Sequence, residues 1–496
     1  MSKAVFPMVI CAFAACGGTV SLGGEQPPEG ASASGGYAAN AGSGGSSMHK
    51  GGAAGTGGAL WSVSPDAVAP IAGGHAGVPQ SDFNPPSSIA ISSSGTVTTA
   101  GVSNGTITSC SYSSVGAGDG LVLFFESNGT LAKCVNLSSA GDDAVNDVAL
   151  DSSGAIDIVG SIGGAAKLWA TDLTFNGGTD AVVAQFAPDH TVRWAKTFGY
   201  EGVQEALGVA LDPSQNVYAV GGFEGTILSG TDVLNAVGSR SAFLLKLDKD
   251  GTWVWGRAWG SGHAIARAAA ASPSGNVVVA GEFDGPIDFG SSEHVSQGGA
   301  DAFIITIDPN GQVLWSKAFG NANVQHVSRV AVDAQGNLAI AGRSSGDIDF
   351  GGGAVQAPNE SVFLAVYGPD GGYKWAVQHE VGADGEAVSR TSVAFDQAGN
   401  VILGGAFRSI ANLGTGPLTS HGDADVFVAS YSSAGAALWS RSYGDAYSQA
   451  LRGLAYDPKG GLALAGSFRG GIDFGAGPVE TMPEVGAMFV ARFPPW

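Results

Sequence analysis

From about residue 88 onward, short runs of alternating apolar and polar residues are separated by Gly, Asp and Asn. The clearest run lies at 330–333, and the turn Gly336-Asn337 leads from it to a second apolar run that ends at Gly342. A side-chain period of two over such short runs predicts β-strands, because an amphipathic helix needs apolar residues three and four positions apart. The sequence therefore predicts strands joined by tight turns.

This pattern occurs seven times, and neighbouring copies of its first turn lie 59 to 63 residues apart when their positions are subtracted. Each copy predicts four strands, which is the content of one propeller blade, and stacking blades in a ring buries their apolar faces. The prediction is an all-β fold, a seven-bladed β-propeller with blades starting near residues 88, 144, 203, 263, 323, 385 and 447. The equivalent turn residues are Gly95, Gly154, Gln215, Gly275, Gly336, Gly399 and Gly460.

The two ends of the repeat region predict how the ring closes. The seventh copy stops after its third strand, near residue 493, so a fourth strand is missing there. The segment 57–62, Gly-Gly-Ala-Leu-Trp-Ser, closely matches 435–440, the predicted fourth strand of the sixth copy. We therefore predict a propeller domain over 57–493, in which residues 60–63 pair with the last blade and remove its free edge.

Most predicted fourth strands carry a Trp four positions after a Gly. The Gly makes the hairpin turn, and the Trp can then lie flat across the contact between two blades, burying about 150–250 Å². We interpret these residues as packing devices between blades rather than as a binding site. They are Trp61, Trp194, Trp255, Trp315, Trp375 and Trp439.

Four local motifs recur from copy to copy: an Asp-x-x-Gly-Asn turn as at 333–337, an Ala-Gly strand end as at 341–342, an Asp-Ala-Phe strand start as at 301–303, and Gly-x-x-x-Trp. Over roughly residues 57–493 these motifs resemble the SBBP-type bacterial β-propeller repeat. That repeat is common in lipoproteins and secreted proteins of myxobacteria-like organisms. The resemblance implies the propeller fold and almost nothing about activity.

The N-terminus predicts export. Lys3 precedes an apolar run that is too short to cross a bilayer and that ends on small residues. The sequence at 13–16, Phe-Ala-Ala-Cys, resembles a bacterial lipobox, which implies a signal peptide over 1–15 and a lipid on Cys16. Gly17 stands where Asp retains lipoproteins at the inner membrane in enterobacteria-like sorting, so the resemblance implies the outer membrane or cell surface. The alternative is an apolar N-terminus without this role.

Residues 16–56 are rich in Gly, Ala and Ser. This composition cannot bury enough apolar surface to fold, so the stretch is predicted to be a flexible tether. No later segment has about eighteen uninterrupted apolar residues, which leaves a lipid as the expected membrane anchor.

Charge limits the class of partner. The chain has 22 Lys and Arg against 43 Asp and Glu, a formal net charge of −21. So acidic a chain repels phosphates, and nucleic acid is therefore not expected as a partner. The expected partners are the membrane, through Cys16, and an unknown protein or glycan. The expected state is a monomer.

Cys110 and Cys134 both fall in the first copy, and Cys134 stands where other copies have Trp. In an oxidising compartment, two nearby cysteines on strands of one small sheet can pair. We predict a disulfide that reinforces the blade lacking its Trp. The alternative is two buried thiols.

Carboxylates offer the remaining candidate chemistry. The motif Ile-Asp-Phe-Gly places Asp288, Asp349 and Asp473 after second strands, as calcium ligands or as caps of a turn whose Phe packs between blades. Equivalent positions of different blades are spread around a ring, so we favour the turn. Paired carboxylates can hydrolyse glycosides only if the fold brings them together in a cleft, and exposed turn residues are the simpler interpretation. The pairs are Asp142 with Asp143, Asp284 with Asp288 and Asp423 with Asp425.

The sequence favours a non-enzymatic binding or scaffolding lipoprotein of the cell envelope. The eight His residues are scattered, and no GxSxG elbow lies between a strand and a helix, so we predict no catalytic residue, no metal and no cofactor. Two alternatives stay open. One is an envelope assembly factor resembling the barrel-assembly propeller lipoprotein. The other is a propeller enzyme that acts on polysaccharide or uses a quinone cofactor.

Overall fold

The computed structural model describes residues 71–74 and 87–493, apart from 108–109, 111, 358, 383–390, 458, 476 and 484–485. Within these residues the chain forms β-strands and no α-helix. Several predicted features lie outside the described residues: the signal peptide 1–15, the tether 16–56, Cys16, Trp61 and the segment 60–63.

The strands form seven small antiparallel sheets in a ring, which confirms the seven-bladed β-propeller. In blades 1 to 6 the order of strands in the sheet follows the chain, from the first strand to the fourth. The first strand of each blade contacts the first strand of the next, and the first strand of blade 7 contacts that of blade 1. The first strands therefore surround a central channel, and the fourth strands form the outer rim.

The strands of blades 1 to 3 are Ser88–Ile91, Val97–Ser103, Asp119–Phe125 and Leu131–Ser138; Ala144–Leu150, Ile156–Ile162, Asp180–Phe186 and Val192–Phe198; Gln204–Leu211, Val217–Phe223, Ser241–Leu247 and Trp253–Trp259. Those of blades 4 and 5 are His263–Ala271, Val277–Asp284, Asp301–Ile307 and Val313–Phe319; His326–Val332, Leu338–Ser345, Glu360–Tyr367 and Tyr373–Glu380. Those of blades 6 and 7 are Ser392–Phe395, Val401–Asn412, Pro417–Tyr431 and Ala437–Tyr443; Gln449–Tyr456, Leu462–Phe468, Ala487–Phe493 and Ile71–Gly74.

A strand from the N-terminal side of the chain completes blade 7. Ile71–Gly74 runs antiparallel to Ala487–Phe493, with Ile71 opposite Val490. Closure by an N-terminal strand is thus confirmed, but its assignment to residues 60–63 was wrong, because a later four-residue strand takes that edge. The assignment rested on a sequence match to 435–440, and a match alone cannot decide which of two nearby segments pairs with an edge.

The turn between first and second strands explains the Asp-x-x-Gly-Asn motif. In blade 5 the Asp333 carboxylate accepts hydrogen bonds from the backbone N–H groups of Gln335 and Asn337, at 2.9 and 2.8 Å. The Asn337 side-chain amide donates a third bond, at 2.7 Å. Gly336 adopts φ +82°, a left-handed conformation that favours Gly. One Asp therefore satisfies the donors of a turn that only a Gly closes without strain.

Four of the predicted Trp residues, Trp194, Trp255, Trp315 and Trp375, dock on the turn of the following blade. Trp315 lies against Gly371, where an added Cβ would sit 2.8 Å from the indole, so the close approach requires Gly. The Trp315 Nε1–H also donates to the Pro369 carbonyl, 3.2 Å away. Trp439 packs against the core shared by blades 6 and 7. Equivalent bonds join Trp194 to Lys249, Trp255 to Pro309 and Trp375 to Ser433.

Blade 1 has Cys134 in place of this Trp. Cys134 forms a disulfide with Cys110, and the two Cα atoms are 5.7 Å apart. Cys134 lies on the fourth strand, whereas Cys110 lies in the connection after the second strand rather than on a strand. The disulfide therefore fastens that connection to the outer rim.

The connections between second and third strands fold back as short hairpins beside the fourth strands. In blade 5 the Asp349 carboxylate accepts hydrogen bonds from the N–H groups of Gly351 and Gly353, at 2.7 and 3.0 Å. The buried Phe350 ring packs 5.5 Å from the Phe319 ring of blade 4. The Ile-Asp-Phe-Gly motif thus builds a capped turn with its Phe between blades. Asp288 and Asp473 accept equivalent bonds from Gly290 and Gly475.

The antiparallel order gives the disc two unlike faces. The turns between first and second strands and between third and fourth strands lie on one side, which we call the turn face. The loops between blades and the connections that precede third strands lie on the other side, which we call the loop face. Because the loop face carries the longer segments, it is the side on which the sequence can vary without disturbing the sheets.

Candidate functional site

The innermost strands carry β-bulges that aim side chains toward the channel side of the blades. In blade 5 the bulge lies between Val327 and Arg329, and in blade 7 it lies between Leu451 and Gly453. Bulges of this kind commonly lie next to binding sites because they redirect a side chain. We define an inner ring that has one residue from each first strand. In blades 2, 3, 4, 5 and 7 it is the residue after the bulge, and in blades 1 and 6 it is the residue in the equivalent register. The inner-ring residues are Ser88, Asp147, Gly208, Ala268, Arg329, Ser392 and Gly453.

Two of the seven inner-ring residues are charged, and they meet across the channel. Arg329 of blade 5 donates from Nη2 to the Ser87 carbonyl of blade 1, at 2.7 Å. The same guanidinium nitrogen lies 3.7 Å from Asp147 Oδ1 of blade 2. Asp147 also accepts the backbone N–H of Val209, at 3.0 Å. Arg329 therefore spans the channel and connects blades on opposite sides of the ring.

A second charged cluster lies where blades 4 and 5 meet. Glu282, which is 4% exposed, accepts hydrogen bonds from Arg267 and from His326, both at 2.5 Å. Burial alone would raise the pKa of Glu282, but the hydrogen bond from His326 and the charge of Arg267 hold that pKa below its ordinary value. Both carboxylate oxygens of Glu282 are hydrogen-bonded, so Glu282 stabilises the contact between blades 4 and 5 rather than transferring protons.

Arg452 and Thr391 differ from these residues because each has a buried polar atom without a hydrogen-bond partner. Arg452 is the bulged residue of blade 7, and Thr391 directly precedes the inner-ring residue of blade 6. Arg452 Nε and Thr391 Oγ1 are buried and form no hydrogen bond. Burial lowers the pKa of the Arg452 guanidinium. Among the described residues Arg240 Nε and Arg492 Nε are buried without a partner as well.

Exposed large apolar side chains are distributed unequally between the two faces. Within the described residues, the turns of the turn face contain none of them. Three lie on the outermost strands of the rim, Val254, Leu314 and Leu438. Five lie in the hairpin connections between second and third strands, Trp169, Val233, Val295, Ile410 and Met482. The loop face carries five that are 42% to 70% exposed: Val115, Tyr200, Val237, Val324 and Tyr447.

Buried Gln residues hold three of the loops between blades. The Gln204 amide donates to the carbonyls of Glu201 and Glu224, at 3.0 and 2.9 Å, and its oxygen accepts the Tyr200 N–H at 3.3 Å. The loop backbone is thereby fixed while the Tyr200 side chain stays exposed. These Gln residues were not predicted from the sequence, although each follows a Gly by five positions. Gln325 and Gln449 make similar bonds in their own loops.

An open groove of about 470 Å³ lies beside Tyr200, between the hairpins of blades 2 and 3. Its walls include Asn176, Thr197 and Leu228. A volume of this size is within the range of small-ligand pockets, although such pockets are usually apolar and enclosed. The groove adds a polar recess to the loop face.

The predicted carboxylate pairs do not face common clefts. Asp143 is buried and accepts hydrogen bonds from Ser139 and from the Gly163 N–H, whereas Asp142 is exposed. Asp288 caps its hairpin and Asp284 is exposed on the preceding strand. In these two pairs the carboxylates serve different local contacts.

The third pair is divided in the same way. Asp423 forms an ion pair with Arg408, at 2.9 Å, while Asp425 is fully buried and accepts the backbone N–H of His421 at 3.1 Å. A glycosidase needs both carboxyl groups on one substrate bond. None of the three predicted pairs provides this arrangement.

One Ser–His contact resembles part of a catalytic dyad. Ser316 Oγ lies 2.9 Å from His294 Nε2 on the rim of blade 4. In blade 6 Thr415 and Ser440 make the same kind of hairpin-to-strand contact, at 2.6 Å, without a His. We therefore interpret the Ser–His contact as a fastening of the hairpin.

In the part of the chain that the structure describes, no three His, Cys, Asp or Glu side chains are grouped as metal ligands would be. The described residues also include no helix of the length and apolarity needed to span a membrane.

Comparisons with known proteins do not assign the chain to a family. No family model matches the chain. An uncharacterized WD repeat-containing protein, L264 of Acanthamoeba polyphaga mimivirus, is 27% identical over 155 residues, which are 27% of this chain and 11% of that protein. The match therefore covers a small part of the relative's length.

Two solved structures align with much of this chain. Hydrazine synthase of Kuenenia stuttgartiensis aligns over 82% of this chain and 99% of its own, with 12% identity and a TM-score of 0.43. A protein of unknown function from Dyadobacter fermentans aligns over 71% of this chain and 95% of its own, with 11% identity and a TM-score of 0.36. Similarities this distant carry no argument about chemistry.

Proposed function

We propose that this protein is a non-enzymatic binding or scaffolding lipoprotein of the cell envelope. The observation that carries the proposal is the unequal distribution of exposed apolar side chains, which the loop face and rim carry and the described turns of the turn face do not. Apolar groups gathered on one side of a rigid body favour contact with a partner over contact with water.

Charge indicates what kind of partner would suit the loop face. The described inter-blade loops 139–143, 199–203, 260–262, 320–325 and 444–448 contain no Lys or Arg. Asp142 and Glu201 are exposed in these loops, and Glu201 directly follows the exposed Tyr200. A protein surface with an apolar centre bordered by Lys and Arg would match both features.

The rigid frame supports a scaffolding role rather than catalysis. The Trp residues and the buried Gln residues fasten the blades and loops, so the loop face is organised before a partner arrives. Preorganisation of this kind reduces the entropy lost on binding. None of the three predicted carboxylate pairs is arranged to act on one substrate bond, which favours binding over glycoside hydrolysis.

The anchor is part of the proposal. A lipid on Cys16 would hold the propeller at the membrane, and by the coil estimate the tether 16–56 would allow it to reach roughly 35 Å. The resemblance to SBBP-type repeats and to a lipobox supports an outer-membrane or cell-surface location.

A cross-linking pull-down of the tagged full-length protein from intact cells tests the proposal, with Cys16→Ala as the control. We expect a reproducible set of envelope proteins with the wild type and its loss with the control, since the variant cannot be lipidated. Equal recovery from both, or no partner despite good expression, would contradict a tethered protein scaffold.

A further inference from the structure

The hairpin of blade 2 is placed differently from the other hairpins, and the groove beside Tyr200 lies next to it. Its two strands, Lys167–Leu168 and Thr171–Asp172, pair with each other, and Lys167 also lies opposite Ser138 on the fourth strand of blade 1. The other described hairpins form sheets of their own or extend the sheet of their own blade. The blade 2 hairpin is therefore held by the preceding blade.

Hairpins elsewhere are fastened to the fourth strand of their own blade. Ser292 shares a hydrogen bond with Ser316 in blade 4, at 2.7 Å, and Thr415 shares one with Ser440 in blade 6, at 2.6 Å. In blade 2 none of the hydrogen bonds of the described residues joins 167–176 to 192–198. The space between these two segments is the groove of about 470 Å³.

The groove has polar walls and an open strand edge. Thr174 and Asn176 of blade 2 line one wall, and Ser229 of the blade 3 hairpin lines the other. Between them lies Val192–Phe198, which pairs with a described strand on its inner side only. The outer edge of such a strand presents unpaired main-chain N–H and C=O groups. Donors and acceptors are thus mixed along the whole groove.

One aromatic ring accompanies these polar groups. Tyr200 lines the groove and is 46% exposed, and Leu228 adds an apolar side chain. The main chain at Tyr200 is fixed, because the buried Gln204 accepts its N–H at 3.3 Å and donates to the Glu201 carbonyl at 3.0 Å. A ring on a fixed loop loses little entropy when a ligand stacks on it.

The charges in the groove do not select an ion. Lys196 and Asp172 line it with opposite signs, and Asp172 is already paired with Lys167, at 2.6 Å. The exposed Glu201 directly follows Tyr200. An anion would therefore meet carboxylates, and a cation would meet Lys196. A neutral ligand with many hydroxyl groups suits this mixture better.

We infer that the groove binds a neutral carbohydrate chain, with one sugar ring against Tyr200 and its hydroxyl groups on Thr174, Asn176 and Thr197. A sugar ring has C–H groups on its faces and hydroxyl groups around its edge, so it stacks on an aromatic ring while its hydroxyls donate and accept hydrogen bonds. The groove is open at the surface, so neighbouring sugars of a chain can extend beyond it. The site goes beyond the proposed function, because its ligand is not a protein.

An array of neutral and acidic oligosaccharides tests the inference with the full-length protein in detergent, followed by isothermal titration with the neutral oligosaccharide that binds best. We expect saturable binding of at least one neutral oligosaccharide and weaker binding of acidic ones. Tyr200→Ala should weaken the affinity about tenfold or more, because the stacking ring is lost, whereas Tyr200→Phe should keep most of it. Thr197→Val should weaken it about two- to tenfold.

The matched control is Tyr447→Ala, which removes a Tyr of similar exposure, 42%, from another loop of the loop face and should bind like the wild type. Melting curves verify that all variants are folded. Binding of no neutral oligosaccharide, or preferential binding of acidic ones, would overturn the inference. Equal affinities of the wild type and Tyr200→Ala, or equal losses in Tyr200→Ala and Tyr447→Ala, would overturn it as well.

Thr197→Val separates this inference from the proposed function. The substitution leaves every exposed apolar side chain of the loop face in place, including Tyr200. The variant should therefore recover the protein partners of the wild type from cells while it binds oligosaccharide more weakly.

Discussion

The indole nitrogen of Trp315 donates a hydrogen bond to the main-chain carbonyl of Pro369 in the next blade, 3.2 Å away. Trp194, Trp255 and Trp375 repeat this contact at three other junctions. Blades 2 to 6 are therefore fastened to their neighbours in the same way, and stability is approximately a sum over blade interfaces in such repeat architectures.

Removal of one docking Trp should destabilise the ring. We expect Trp315→Ala to lower the free energy of unfolding by about 1–3 kcal/mol, since the interblade contact of a half-buried ring and its hydrogen bond are lost. Trp169→Ala is the control, because Trp169 is 54% exposed on a hairpin. Thermal and denaturant unfolding measure both variants, and equal losses would contradict the packing role.

Asp157 should make stability depend on pH. It is fully buried, its carboxylate accepts hydrogen bonds from the Gln185 amide at 3.1 Å, and burial raises its pKa from 3.8 to about 7. Between pH 3.8 and pH 7 the folded state binds more protons than the unfolded state, so the free energy of unfolding falls as the pH rises. Above about pH 7 the buried carboxylate is charged, and its whole destabilising effect is present.

The variant Asp157→Asn removes this titration and should raise the melting temperature relative to the wild type at pH 8. The advantage should shrink as the pH falls to 5. Melting curves from pH 5 to 8 measure the effect, with the exposed Asp172→Asn as control. An Asp157 variant with the same pH slope as the wild type would show that the buried carboxyl does not titrate in this range.

The disulfide of blade 1 should contribute substantially to stability. Cys110 and Cys134 are 24 residues apart in sequence, and closing a loop of this length stabilises by about 3 kcal/mol in the chain-entropy model. We expect Cys110→Ser to melt at a lower temperature than the wild type under oxidising conditions. With dithiothreitol the two proteins should melt alike, whereas a remaining difference would indicate that the substitution acts through packing.

Ring closure distinguishes two segments of the chain. Replacing 71–74 with Gly-Ser-Gly-Ser should lower the melting temperature, because the edge of Ala487–Phe493 loses its paired strand. Deleting 57–64 should leave the melting temperature unchanged. The opposite pattern would assign closure to the earlier segment, as the sequence match to 435–440 first suggested.

The blade architecture could be predicted because it depends on local rules. Alternating residues, a turn with Gly336 at positive φ and the capping Asp333 recur with a fixed period, so each copy specifies the same structure. The roles of Trp315 and of Asp349 followed from their positions in the repeat. The Pro369 carbonyl as the Trp acceptor did not, since only the packed ring brings it there.

The contacts across the channel could not be predicted either, because they too form only in the packed ring. Arg329 and Ser87 are 242 positions apart and meet only because the ring closes. Arg452 stands at a bulge, and a bulge interrupts the period of two on which the sequence analysis relied. The closing strand was missed because its four residues are too short to carry a pattern.

The most direct test of the proposed function compares partner recovery by two matched double variants of the lipidated protein. Tyr200→Ser with Val237→Ser removes two exposed apolar side chains from the loop face, and Val254→Ser with Leu314→Ser removes two from the rim. We predict that the loop-face variant loses the cross-linked partners of the wild type while the rim variant keeps them. Full recovery by the loop-face variant, or loss by the rim variant alone, would contradict binding through the loop face.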